Sequence, residues 1–438
     1  MFTYIRTSDA ANKWQMNERR VRYLALHNRI PGAYLEGKKW MIPASASKPT
    51  IQKFNPNQEE EFSYDSDENL TGKFNEFGGS FLPRQIESLF KPIVKQYEIL
   101  FTEKFKQKLA RYKRDNIIWK TPLYLAKKFS DYLGNVEVYI KREDLNNCGS
   151  IYFNQTFPLA FLALQLKKKK IISESNDANY AKSLAYSCNF VGIQLEIYVG
   201  YNDYLKQKDA FDMLTLLGAN LTIITNGTMD IVEATNYAFK SYIRQSELAF
   251  YCFHDAIGPH PFPVMVEKLQ RIVGVEARDD LFMTTGQLPN YVLAPLSIGS
   301  NALGMFTAFE KSKTKLIACR SVKDNEENNM SKCAHFGYKS ISFDNDKSFI
   351  GLSPRLADLI DKKRVECLEI SEKEAMDALI TFSKLEGFMP SLEDGYTIQG
   401  VISLSQRIKN GKILLCLTGN GAKDINYVFS NYKRNIRT

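Results

Sequence analysis

The sequence predicts an α/β fold with mainly parallel sheets, preceded by a small basic module. Three observations carry this. Strand-like apolar runs alternate with helical stretches through residues 72–438, the pattern of layered α/β domains. The chain has 438 residues, 44% hydrophobic and 24% charged, enough for two or three domains with a large core. The net charge of +9 is unevenly placed: residues 1–50 carry nine Lys/Arg against three acids, a net of +6, which leaves +3 for the other 388.

In the first 50 residues, Ser8 is a candidate cap for a helix through Trp14, with a turn at Gln15-Met16. Asn17 caps a second helix, Glu18 to about His27, in which Val21, Leu24 and Ala25 share one face by 3.6-residue spacing. Arg19, Arg20, Arg22 and Tyr23 are left on other faces. Pro31-Gly32 breaks the chain, and Ala33-Tyr34-Leu35, Gly37 and Lys39-Trp40-Met41-Ile42-Pro43 suggest a two-stranded wing. Residues 51–71, with Glu59-Glu60-Glu61, Asp65, Asp67 and Glu68, read as an acidic linker.

In the body, strands are expected at Val136–Ile140, Lys170–Ser173, Leu195–Val199, Asn220–Ile224, Tyr291–Ala294 and Ile413–Leu417. The run Lys167–Lys170 reads as a solvated helix end, where the macrodipole favours cations. The seven cysteines are scattered and contain no Cys-x-x-Cys pair, so neither a metal site nor a disulfide framework is expected. Cys148 reads as an inert buried thiol. No apolar run approaches the ~20 residues of a membrane span. The N-terminus lacks the apolar stretch of a signal peptide, so a cytoplasmic location is expected.

The segment Ser8-x-x-Ala11, Trp14, Asn17-Glu18-Arg19-Arg20-Val21, Arg29-Ile30-Pro31-Gly32 and Trp40-x-Ile42-Pro43 resembles the excisionase-like and MerR-like winged helix-turn-helix family. The resemblance implies double-stranded DNA as a partner of residues 1–50. Arg19, Arg20 and Arg22 would enter the major groove, and Lys38 and Lys39 at the wing tip would contact phosphates. A small domain merely solvated by its arginines is the plainer alternative.

The body resembles a second family. Gly72-Lys73-Phe74-Asn75-Glu76-Phe77-Gly78-Gly79-Ser80-Phe81-Leu82-Pro83, Lys120-Thr121-Pro122-Leu123-Tyr124-Leu125-Ala126, Lys141-Arg142-Glu143-Asp144-Leu145, Gly258-Pro259-His260-Pro261-Phe262-Pro263, Gly299-Ser300-Asn301-Ala302, Glu386-Gly387-x-x-Pro390-x-Leu392-Glu393 and Gly419-x-Gly421-x-Lys423-Asp424-Ile425 occur in the order of the tryptophan synthase β chain. This implies the fold-type II architecture of pyridoxal phosphate (PLP) enzymes, two α/β subdomains with a pocket between them. The expected organisation is a winged helix-turn-helix domain (1–50), an acidic linker (51–71) and a two-subdomain body (72–438).

Residue by residue, the resemblance implies altered chemistry. Tyr152 stands where the family has the lysine that forms a Schiff base with PLP, and Ile151 where it has a phosphate-facing histidine. A phenol has no amine to condense with an aldehyde. Glu174 matches the family's acid-base glutamate. The carboxylate-binding loop is replaced by Ser175-Asn176-Asp177-Ala178-Asn179-Tyr180, without its glycines and with an added negative charge. Gly299, Ser300 and Asn301 retain part of the phosphate loop, with Ile298 adding bulk. Glu393 matches a glutamate beside the cofactor ring, and Thr418 replaces a serine near the pyridine nitrogen. Lys206 stands for an arginine of the closure switch, Gln207 is kept, and Asp346 is the candidate for its aspartate partner.

The expected function is therefore a DNA-binding transcriptional regulator whose catalytically degenerate body serves as ligand sensor or dimerisation scaffold. No cofactor is expected, with a small molecule or anion in the residual pocket, no membrane, and a homodimer. The alternatives are a PLP-dependent lyase of the tryptophan synthase β type with an accessory N-terminal domain, in which PLP is bound after all, and a protein-interaction scaffold.

Overall fold

The computed structural model describes residues 3–26, 30, 32–37, 39–46, 48, 72–82, 84–116, 118, 120–322, 330–335, 337–343 and 351–436. Arg29, Lys38, the expected linker 51–71, Pro83 and Asp346 lie outside the described residues, as do the side chains of Arg19, Arg20 and Tyr23. The chain divides into two compact units, one of residues 1–63 with 278–288, the other of residues 64–277 with 289–438.

In the first unit, β1 (Tyr4–Arg6) leads directly into α1 (Thr7–Trp14), and α2 follows (Glu18–Leu26). β2 (Tyr34–Glu36) and β3 (Lys39–Pro43) form an antiparallel hairpin, and β1 adds to the free side of β3, giving the order β1-β3-β2. This sheet therefore has three strands where the sequence suggested two. Helix α1 begins one residue before Ser8, after Arg6, and Asp9 Oδ2 accepts from the Arg6 N–H at 3.3 Å. It ends at Gln15 in the left-handed conformation, φ 51°, which makes the sharp turn into α2. Ala10, Ala11, Trp14, Val21, Leu24, Ala25, Ile30 and Ile42 form a single buried core, so the apolar face read from 3.6-residue spacing is the packed one.

The second unit opens with β4 (Lys73–Phe74), β5 (Phe77–Gly78), α3 (Arg84–Leu100) and α4 (Glu103–Asp115). Then come β6 (Leu123–Leu125), α5 (Lys127–Leu133), β7 (Val136–Arg142), α6 (Phe153–Gln165), β8 (Lys170–Glu174), α7 (Ala178–Val191) and β9 (Gln194–Gly200). The chain continues with α8 (Tyr201–Lys206), α9 (Lys208–Leu216), β10 (Asn220–Ile224), α10 (Ile231–Gln245), β11 (Ala249–Cys252), α11 (Phe262–Thr285), β12 (Tyr291–Leu296) and α12 (Ser300–Phe306). It closes with β13 (Lys315–Val322), β14 (Met330–His335), β15 (Tyr338–Phe343), α13 (Pro354–Asp361), β16 (Val365–Ser371), α14 (Glu372–Glu386), α15 (Leu392–Ser405), β17 (Gly411–Leu417) and α16 (Ile425–Ile436).

Two sheets carry the unit. One runs β16-β13-β12-β17-β7-β6 and is parallel except for β6 at its edge. The other, β10-β9-β8-β11, is wholly parallel. A smaller antiparallel sheet, β14-β15-β5-β4, lies beside them. Every strand expected from the apolar runs is present. The sequence reading missed β6, β11, β13, β16 and the β14–β15 hairpin. In β11 the run Ala249-Phe250-Tyr251-Cys252 is only four residues long, and in β16 only Val365 and Ile370 are buried, with Glu366 and Glu369 exposed between them. Such short or charged runs take their strand character from their neighbours in the sheet.

The main core of the larger sheet joins Val138, Ile140, Leu293, Ile413, Leu415 and Leu417 to Phe382 of α14 and to Ile398 and Val401 of α15. A second core joins Ile172 and Tyr251 of the other sheet to Ala234, Ala238 and Tyr242 of α10. Helices are stopped and started locally. Ser371 with Glu374, and Ser391 with Asp394, form reciprocal capping boxes at the starts of α14 and α15. Because Leu415 is fully buried on the central strand β17, Leu415→Ala should cost about 2–5 kcal/mol. A fall in the urea midpoint measures this; an unchanged midpoint would refute the assignment of that strand to the core.

Candidate functional site

Parallel strands of an α/β sheet expose their carboxyl ends on one edge, where loops can meet. Here the segments after β7, α14 and β17 are tied together by backbone hydrogen bonds. Ile151 N donates to Thr418 O at 2.8 Å, Asn420 N to Gly149 O at 3.1 Å and Ser391 N to Gly419 O at 2.9 Å. Gly149 is required in this clasp: its φ is 74°, and a Cβ there would lie 2.4 Å from Asn420 Nδ2. Tyr152 follows at the start of α6, 6% exposed, its ring edge-on to Tyr180 at 5.5 Å between centroids.

The loop after β8 folds onto the same place. Asp177 caps α7 by accepting from Asn179 N at 2.8 Å, and Lys423, after β17, donates to the same carboxylate oxygen at 3.2 Å. Gln207 clamps the loop: its Oε1 accepts from Ala178 N at 3.1 Å and its Nε2 donates to Asn176 O at 3.2 Å. Lys206 is turned to Asp203 at 3.5 Å. The retained glutamine therefore positions a loop, and its neighbour takes no part in that clamp.

Glu174, at the end of β8, is fully buried. Its Oε2 accepts from Tyr251 Oη at 2.6 Å, and its Oε1 accepts from His254 N at 3.2 Å and lies 3.3 Å from His254 Nδ1. Both oxygens are thus committed to β11 and the residues after it. Asp255 Oδ1 accepts from Ala256 N at 2.6 Å and from Ser300 N at 2.9 Å. Cys148 Sγ lies 2.8 Å from Ser183 Oγ, and burial pushes its thiol up to about 11, so it stays protonated.

Gly299, with φ 134°, turns the chain from β12 into α12. A Cβ there would come within 3.0 Å of Leu356 and 3.1 Å of Ser353. Around this turn, Ser300 Oγ, Ser353 Oγ and both amide atoms of Asn301 are buried without a well-formed hydrogen bond among the described residues. Unsatisfied buried polar atoms cost roughly 1–3 kcal/mol each. Asn301 also faces the Tyr152 phenol and Ser300 the Asp255 carboxyl, so the turn is lined with polar groups.

Glu393 stands at the start of α15, and its Oε1 accepts from Ser297 Oγ at 2.9 Å. Burial first, then repulsion by Asp177, pushes its carboxyl up to about 7. Thr418 donates through its N–H at 2.8 Å and its hydroxyl at 2.9 Å to Asp394 Oδ1, so the hydroxyl proton is spent on a buried carboxylate. Burial, reinforced by Asp177, Glu393 and Asp255, holds the Tyr152 phenol well above its ordinary value and therefore protonated.

Tyr152, Asn301 and Glu393 are thus neighbours, with Gly299 and Ser300 beside Asn301 and Thr418 bonded to Ile151, whereas both oxygens of Glu174 are taken by Tyr251 and His254. The sequence reading missed Asp255, His254, Ser297 and Ser353 as site residues. Asp255 and His254 follow β11, the strand that was also missed, and the motif reading began only at Gly258. In the first unit, Arg22 pairs with Glu18 at 2.7 Å and Lys39 is exposed.

Residues 115–419 match the family model described as pyridoxal-phosphate dependent enzyme. The chain belongs to this family. The tryptophan synthase β chain of Clostridium botulinum (strain Alaska E43 / Type E3) is 32% identical over 383 residues, covering 82% of this chain and 95% of that one. That of Mycobacterium leprae is 29% identical, covering 80% and 89%. Among solved structures, the processed form of threonine deaminase isoform 2 from Solanum lycopersicum aligns with a TM-score of 0.55 at 17% identity, covering 74% of this chain and 88% of that chain. This last likeness shows the fold.

Two expectations are corrected by these findings. A DNA-binding regulator with a degenerate body gives way to a chain of PLP-dependent, lyase-like kinship, because the relatives match across four-fifths of it and are enzymes of that type. The basic charge and helix spacing behind the earlier reading are equally those of a solvated accessory domain, and Arg22 is already engaged by Glu18. The expectation of no cofactor also falls, since the family is PLP-dependent. A cofactor is held by its phosphate and ring as well as by any covalent link, and the buried polar side chains of Ser300, Asn301 and Ser353 suit such a group. Among the described residues no helix is long and apolar enough to cross a membrane.

Between the ordinary carboxylate range and about 7, the folded chain holds a proton on Glu393 that the unfolded chain has released. Stability should therefore fall as pH rises through that window. Glu393→Gln should remove this slope, narrowing the gap between urea midpoints at about pH 5 and about pH 8; an unchanged gap would show that Glu393 titrates normally.

Proposed function

We propose that this chain binds PLP in the pocket at the carboxyl ends of its parallel strands and is a lyase of the tryptophan synthase β type, with a phenol where its relatives carry an amine. The observation that carries this reading is the set of buried polar side chains, Ser300, Asn301 and Ser353, gathered at the Gly299 turn. Ser300, Asn301 and Ser353 would hold the phosphate, and the tight Gly299 turn keeps the backbone close to it. Bound PLP supplies an electron sink for charge developing on an amino-acid substrate.

The chain's own residues do the rest. The protonated Tyr152 offers a hydrogen-bond donor where it cannot form an imine. Lys423 and Gln207 hold the Asp177 loop in place across the pocket. Glu393 exchanges a proton near neutral pH, the range suited to acid-base work. Glu174, with both oxygens engaged, positions His254 and Tyr251. In the first unit, two helices and a three-stranded sheet around one core support reading residues 1–50 as a winged helix-turn-helix domain appended to this enzyme body.

Titration of the purified chain with PLP, followed by borohydride reduction and peptide mapping, tests the proposal. Saturable binding without a pyridoxyl-lysine in the pocket is expected. A unique pocket pyridoxyl-lysine would overturn the assignment of Tyr152, and no binding would overturn the PLP reading. Asn301→Ala should weaken PLP about tenfold, the scale of one hydrogen bond to a charged group.

A further inference from the structure

Helices α14 and α16 border a cavity of about 330 Å³. Ile425, Val428, Phe429 and Tyr432 lie three and four residues apart on α16, which sets them in one stripe along the helix. Val428 is buried, whereas Ile425 is 49% and Phe429 56% exposed, so the stripe is only partly covered. On α14, Leu379 belongs to the main core, and Ser383, one turn on, borders the cavity. Ser383 Oγ donates to Leu379 O at 2.7 Å, which turns its polar atom back onto its own helix. Met389 forms another part of the wall, and its carbonyl accepts from Gly421 N at 3.0 Å, so this part is anchored to the folded backbone.

An apolar wall alone names no occupant; a charge beside it does. Lys384 is the one charged side chain among the described residues that border the cavity. It is exposed, and it has no carboxylate partner among the described residues. The acids close to it in the chain are engaged elsewhere. Glu386 accepts from Tyr124 Oη at 2.6 Å and from Phe129 N at 2.7 Å, one bond to each oxygen. Asp424, just before α16, accepts from Leu392 N at 2.8 Å and lies 3.9 Å from Lys423. The volume is at the lower end of the ~300–1,000 Å³ of small-molecule sites, which suits a small ligand rather than the extended face of a docked helix.

We propose that this cavity binds a small aliphatic monocarboxylate, of the class of medium-chain fatty acids, with its chain against Leu379, Val428 and Phe429 and its carboxylate on Lys384. The chain covers the apolar surface that Ile425 and Phe429 now leave to water, and each methylene so buried tightens binding by about fourfold. The Lys384 ammonium makes a charge-assisted hydrogen bond to the head group. An ammonium in its place would be repelled. None of these side chains is among those gathered around Tyr152, so a ligand here is additional to PLP.

Isothermal titration of the full-length chain with octanoate, hexanoate and octylamine at neutral pH decides the matter. Octanoate should bind saturably, about fifteenfold tighter than hexanoate, which is two methylenes shorter. It should also bind about fivefold or more tighter than octylamine, the scale of one exposed ion pair. Lys384→Glu, at an exposed position, should reverse the order of octanoate and octylamine. Ser383→Phe should fill the cavity and abolish binding of both, with circular dichroism confirming the fold; should that variant not fold, the charge reversal at Lys384 still decides. No saturable binding of octanoate, equal affinity for acid and amine, or an order unchanged by Lys384→Glu would each overturn the inference. A dimer in sedimentation that Ser383→Phe dissociates, with no binding of octanoate, would instead assign the cavity to a second copy of the chain.

Discussion

Everything at the site depends on the backbone clasp joining Gly149–Ile151, Pro390–Ser391 and Thr418–Gly421. Two isolated bridges, Ser150 with Gly419 and Pro390 with Asn420, lock three loops from different parts of the chain into one small surface. Backbone donors and acceptors buried this way must be paired, and pairing them with each other fixes where Tyr152, Glu393 and Lys423 stand. The large sheet sets the clasp's geometry, since β7 and β17 are neighbours and end together at Arg142 and Leu417. Loosening the clasp would move a phenol, a carboxylate and an ammonium at once.

Around that clasp the carboxyls of Asp177, Asp424 and Glu393 gather about Lys423. Lys423 is held above its ordinary value by Asp177, Asp424 and Glu393 although burial works against its charge, and burial pushes the Glu393 carboxyl up as well, to about 7. Elsewhere the buried charges are matched. Lys141 reaches Thr121 O at 2.8 Å and Glu276 Oε2 at 2.5 Å, and Arg355 bridges Glu310 and Asp358.

The fold was largely legible because its central strands are apolar enough to declare themselves. Asn220–Ile224 and Ile413–Leu417 could be placed from composition alone, and the core face of α2 from spacing. What was lost was β11 and, with it, Asp255 and His254. Four residues carry too little pattern, and the Asp255 carboxylate acquires meaning only when Ser300 N, 45 residues on, comes within 2.9 Å. The functional error had a similar origin. A tyrosine at position 152 and a basic N-terminal segment are conspicuous in a sequence, whereas the gathering of Ser300, Asn301 and Ser353 at one turn exists only in three dimensions.

The sequence by itself determined the α/β class, the order of the family motifs and the identity of the residue at position 152, because these follow from local apolar pattern and covalent order. Only the tertiary structure decided which of the matched residues are free to act. Glu174 and Gln207 look like catalytic and switching residues in the sequence, yet the folded chain spends their polar atoms on His254, Tyr251 and the 176–178 loop. Hydrogen bonds between residues far apart in the chain assign those roles, and no one-dimensional pattern encodes such distances.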